Sequence, residues 1–161
     1  MANDPILAGA REVLEFALEE MRTTLEGADD AAVNWRPGDA DTNSLAVLTT
    51  HVMASTRSWL SVATGAPRPE RDRDSEFVAT FDNAAALLAH FDEMARDCMA
   101  LIDNAGDVDW GALRTTLARP NSATPTEALA AMALIHAISH LREHEGQIFL
   151  TRQLWDQRAD A

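Results

Sequence analysis

From Ala128 to Ser139 the chain carries no charged side chain, and the run extends through His140 and Leu141 before Arg142 interrupts it. Helical spacing continues to about Trp155. A helix without charge on any face must be covered by protein on every side, so this stretch predicts the central element of a helical bundle. Its start is signalled by Thr124-Pro125-Thr126-Glu127, which offers an N-cap, a first-turn proline and a capping-box glutamate.

Three further segments carry helical periodicity. The first opens at Asp4-Pro5 and runs to about Leu25, with Ile6, Val13, Leu14, Ala17, Leu18, Met21 and Leu25 as its apolar positions; Gly27 and Asp29-Asp30 end it. The second begins at the cap residues Asn43-Ser44 and ends near Gly65, with Leu45, Leu48, Val52, Ser55, Trp59 and Val62 on one stripe. The third covers Asp82 to Ile102 and places Leu87, Leu88, Phe91, Met94, Ala95, Cys98 and Leu101 on one face. Strand-type alternation is not evident, although Phe77-Val78-Ala79 is compatible with a short extended piece. Ala66 to Ser75 holds two prolines and a mixed charge run and predicts an exposed loop. The expectation is one all-α domain over residues 1–161, a four-helix bundle with long connections.

Composition narrows the function classes. With 26 acidic against 13 basic side chains the formal net charge is −13, which repels phosphate backbones and anionic lipid and argues against nucleic-acid or membrane partners. Cys98 is the only cysteine, so no internal disulfide forms and a reducing compartment is expected. No apolar run reaches the ~20 residues that cross a bilayer, and Met1 to Phe16 lacks the pattern of a secretory signal. A cytoplasmic protein is expected. Cys98, on an apolar face, reads as a core residue rather than a nucleophile.

The histidines carry the chemistry. His136, His140 and His144 are spaced i, i+4, i+8, and at ~100° per residue they project from one narrow stripe together with Gln147 and Thr151. An i, i+4 pair brings two imidazoles within reach of one ion. Spacing alone admits His136 with His140 or His140 with His144. His51 lies at the edge of the second helix's apolar face and can join either pair if the two helices pack together. Three imidazoles would leave a position for water or substrate, as in catalytic rather than structural sites. The competing account is a set of hydrogen-bonded core histidines. His90 lies off its helix's apolar stripe and is excluded from the site. His140-Leu141-Arg142-Glu143-His144 also fits the H-x-x-E-H metalloprotease spacing, which would make Glu143 a general base. Beyond the adjacent Glu145, only Asp156 and Asp160 follow as acidic residues, however, and both lie on the same tail.

Three stretches together resemble the DinB/YfiT-like superfamily of metal-dependent enzymes: Trp35-Arg36-Pro37 followed by Asn43-Ser44-Leu45; Leu48-Thr49-Thr50-His51-Val52 through Trp59-Leu60; and His136 through Ile148, with its histidine–glycine–glutamine pattern. The resemblance spans roughly residues 5 to 155. It implies an up-down-down-up four-helix bundle, homodimers, and metal ligands at His51, His140 and His144. His136 then becomes a supporting residue, as does Glu143. Read from the residues alone, Gln147 on the histidine stripe either orients a ligand ring or a water or hydrogen-bonds across the core. Gly146 would permit close approach of a neighbouring helix, and Trp35 and Trp59 would pack as core or pocket wall.

The resemblance also implies enzymes that use low-molecular-weight thiols such as mycothiol or bacillithiol for isomerisation or S-transfer. The expectation is therefore a metal-dependent enzyme acting on a small molecule through a divalent ion, with such a thiol as the candidate cofactor. Three imidazoles suit zinc, nickel, iron, cobalt or copper alike. A non-catalytic metal- or ligand-binding module is the alternative from another class, and an H-x-x-E-H metallohydrolase is a minor one.

Overall fold

The computed structural model describes residues 4–38, 41–116 and 126–158. Four long helices dominate: α1 (Pro5–Glu26), α2 (Leu45–Thr64), α4 (Ala84–Asp103) and α5 (Ala130–Gln157), with a one-turn helix α3 (Arg73–Glu76) between α2 and α4. Local chemistry sets their ends. The Asp4 carboxylate accepts from Ile6 N and Leu7 N, the Ser44 hydroxyl from Val47 N, and the Asn83 side chain from Ala86 N, satisfying amides that have no partner within their own helix. Gly65 closes α2 in the left-handed region at φ 76°. A Cβ there would lie 2.8 Å from the Arg114 guanidinium, a flexible chain end that can shift, so it is the backbone conformation that requires glycine.

In the bundle, α2 packs against α5 and α4, and α1 against α4 and α5. Arg11 pairs with Asp103 and Arg22 with Asp92, so α1 and α4 run in opposite directions. Trp59 meets His136 while His51 meets His144, so α2 and α5 are antiparallel too. Arg142 reaches Glu20, and Arg152 reaches the Thr24 carbonyl, so α1 and α5 share a direction. Leu14, Met21, Leu25, Leu45, Met53, Leu60, Leu87, Phe91, Leu141 and Ile148 fill the centre. Each such burial contributes roughly 1.5–3 kcal/mol. Among the described residues no helix is long and apolar enough to cross a membrane.

Four expectations need correction. First, α5 does not start at a capping box: Glu127 belongs to a strand, β2 (Glu127–Leu129), paired antiparallel with β1 (Leu113–Thr115). The first α5 amides, Ala130 N and Ala131 N, donate to the carbonyls of Ala112 and Trp110, so the incoming ribbon does the work of a cap. Thr124 and Pro125 lie outside the described residues. Second, Phe77-Val78-Ala79 forms no strand; Phe77 ends α3. Third, Ala66 to Ser75 is not simply exposed: Arg71 within it turns inward to Glu76, the last residue of α3, which begins at Arg73. Fourth, the uncharged run is not fully enclosed. Met132 and Ile135 are 46% and 67% exposed, and on α1 Ile6, Val13 and Phe16 also face outward. The two patterns are joined where the Arg142 guanidinium lies 5.5 Å from the Phe16 ring.

Candidate metal centre

The antiparallel contact of α2 with α5 brings His51, in the second turn of α2, against two turns of α5. Ring centroids of His51 lie 5.4 Å from His140 and 5.2 Å from His144, and those of His140 and His144 lie 4.5 Å apart. One nitrogen from each ring falls within 4.8 Å of the other two. His51 is buried, and the α5 pair is half-buried. His136 does not join this cluster. It stacks edge-on against Trp59 at 4.5 Å and sits 5.5 Å from His140, a wall on the next turn.

Two of the three rings are oriented by a hydrogen bond at Nδ1. His144 Nδ1 meets Gln147 Oε1 at 2.8 Å, the ring-orienting contact expected of Gln147. His51 Nδ1 meets Glu76 Oε2 at 2.9 Å, a partner that sequence reading missed. Glu76 is in turn held by Arg71, with Nε on Oε1 at 2.6 Å and Nη2 on Oε2 at 2.9 Å. The Phe77 ring leans on His51 at 4.7 Å. Phe77's carbonyl is braced by Arg36, whose guanidinium also holds the Thr42 carbonyl at 2.8 Å. The tryptophan–proline loop thus supports the centre from behind.

Burial disfavours charge on the two α5 rings. Burial first, then the neighbouring histidines and Arg71, push His140 down to about 4. Burial also lowers His144, against the opposing pull of its Gln147 hydrogen bond. Burial alone would raise Glu76, but the hydrogen bonds from His51 and Arg71 outweigh it and hold the carboxyl below its ordinary range. A neutral imidazole offers a lone pair, the form that ligates metal.

The residues fit an ion. His140 Nδ1 is buried with no hydrogen-bond partner among the described residues, an unfavourable state in a ring that carries no charge to solvate. With Nδ1 of His51 and His144 committed to acceptors, the opposite nitrogens of those rings are free as donors to a cation. The all-nitrogen donor set suits the late first-row divalent metals. Glu76 is unavailable as a ligand because both of its oxygens are taken.

Other candidates fall elsewhere. Glu143 is exposed and its charge bears on His144, and Asp156 pairs with Arg152, so neither joins the histidine cluster; Asp160 lies outside the described residues. Trp35 packs edge-on against Trp155 at 5.5 Å, eleven residues beyond His144 and so ~16 Å along the helix axis; it is not a wall of the histidine site. Gly146 is exposed, and an added Cβ would meet nothing within 4 Å, so no helix approaches there. Cys98 is fully buried, and burial pushes its thiol up to about 12, leaving an inert core residue.

A bundle that holds three converging imidazoles between two antiparallel helices defines the class. The chain belongs to the DinB superfamily, whose family model matches residues 13–144. Among solved structures, a conserved protein from Enterococcus faecalis superposes with a TM-score of 0.68 at 16% identity, covering 96% of this chain and 97% of that one. A mycothiol-dependent maleylpyruvate isomerase, in a histidine-to-alanine variant, superposes with a TM-score of 0.62 at 15% identity over 88% of this chain; the match spans 60% of that protein's length. At such identities the likeness is one of fold. No curated protein matches the sequence.

Proposed function

We propose that this chain is a metal-dependent enzyme acting on a small molecule, with His51, His140 and His144 as ligands to one divalent ion and a low-molecular-weight thiol as co-substrate. The observation that carries the reading is the convergence of three imidazole nitrogens within 4.8 Å. Zinc, nickel, iron, cobalt and copper all suit the donors. A bound ion supplies a Lewis acid that lowers the pKa of a thiol or polarises a carbonyl at its open position. The chain's own part is to keep the two α5 rings neutral, to fix His144 and His51 through Gln147 and Glu76, and to leave the α5 rings partly open to solvent so that a small molecule can approach. Trp59 and His136 offer an aromatic wall one turn away.

The thiol assignment is supported by membership of the DinB superfamily and by the fold shared with a mycothiol-dependent isomerase. Cys98 offers no competing nucleophile. Metal-loaded protein incubated with mycothiol, bacillithiol or glutathione and an electrophile should consume thiol faster than the His140→Ala variant. Equal rates would refute the thiol reading. Tight metal uptake without turnover on any thiol would favour a binding module instead.

A homodimer is part of the proposal. The outward apolar positions Ile6, Val13 and Phe16 of α1 and Ile135 of α5 give it a surface, since monomers rarely leave such a patch to water.

A further inference from the structure

A carboxylate 3% exposed is costly unless every oxygen is engaged. Glu76 meets that condition in a specific way. Arg71 takes it from one side with a two-pronged contact, and His51 Nδ1 approaches Oε2 from the other. A carboxylate so clamped is an acceptor only, so the proton of that contact must sit on His51 Nδ1. The lone pair of His51 is thereby assigned to Nε2. The next residue, Phe77, lies against the same ring, so residues 71–77 hold His51 along its edge and on its face.

We infer that Glu76, clamped by Arg71, is the positioning residue that fixes His51 in the Nε2-ligating tautomer and strengthens it as a metal donor. The inference rests on the metal-site reading above. Acceptors behind a ligating histidine set its tautomer, hold its orientation and raise its basicity, and their loss costs metal affinity by roughly 10- to 100-fold. The segment that looked like an exposed, charge-mixed loop is then a working part of the centre. Its arginine and glutamate act through His51 rather than on substrate.

Nitrogen NMR on histidine-labelled, metal-free wild type reads the tautomer of His51 directly, without any ion. The proton should reside on Nδ1; a proton on Nε2 overturns the inference before any variant is made. Glu76→Ala should lose the fixed Nδ1–H signature and weaken zinc binding, measured by chelator competition, by roughly 10- to 100-fold. Arg71→Ala, which leaves Glu76 in place but unclamped, should weaken it less and in the same direction. If Glu76→Ala fails to fold by circular dichroism, the wild-type tautomer and the Arg71→Ala affinity still decide the matter. Zinc affinity within twofold of wild type in the folded variants overturns the role of Glu76 alone. Absence of zinc uptake by wild type, with the Nδ1 proton in place, overturns the metal reading and this role with it.

Discussion

The His51 ring on α2 lies 5.2 Å from the His144 ring on α5, nearly perpendicular to it at 80°. Ninety-three residues separate them in sequence, and only the antiparallel packing of the two helices brings them together. Every functional statement about this chain depends on that approach and on His140 completing the cluster one turn away.

Removing the ion should expose the pH dependence of the bare site. Between pH 6.5 and about 4 the unfolded chain protonates its histidines, while His140, held at about 4 by burial and its neighbours, stays neutral. The unfolded state then binds more protons, so stability falls as pH drops through this window. His144, shifted the same way, adds to the slope. Denaturant midpoints measured with chelator at pH 7, 6 and 5 should decline, and the decline should be shallower in His140→Gln. An unchanged slope in that variant would show that His140 is not the titrating group.

Gly146 interrupts an exposed stretch of α5 with open space around it. Gly146→Ala should therefore stabilise the protein by about 0.5–1 kcal/mol, through helix propensity alone, and leave metal affinity within twofold of wild type. Thermal denaturation and chelator competition check both halves. A loss of stability or of affinity would mean that a neighbour does approach there.

How much of this was legible beforehand can be read from individual residues. Asp4, Ser44 and Gly65 announced helix ends correctly because caps act within three or four residues of chain. Helical period offers His136, His140 and His144 alike, and only the family resemblance selects the last two; His51 stands out by its place at the edge of an amphipathic face. Glu76 gave no such signal. It sits in a one-turn helix after a proline-rich run, and its meaning comes from a ring 25 residues away. The start of α5 lies later than its local signal for a related reason: Glu127–Leu129 pairs with Leu113–Thr115, and the ribbon's carbonyls take the first helix amides at Ala130 and Ala131. The uncharged run is partly exposed at Met132 and Ile135, because lack of charge alone does not tell the interior of a chain from an apolar stretch of its surface.

The proposed dimer surface is testable. Ile6, Val13 and Phe16 recur at helical spacing on the outer side of α1, and Ile135 lies two turns before Arg142, which spans to Phe16. Sedimentation velocity should show a dimer for wild type and a monomer for Phe16→Glu/Ile135→Glu, with helicity by circular dichroism unchanged. A double variant that sediments as wild type does would place the dimer contact elsewhere, and a monomeric wild type would remove the dimer.

The central claim is that three imidazoles hold one ion. Elemental analysis of protein purified without a nickel column, compared with the His51→Ala/His140→Ala/His144→Ala variant after both are loaded and desalted, tests it most directly. The account predicts one equivalent of a divalent metal per wild-type chain and none in the variant. Equal content in the two proteins, or none in either, would contradict it.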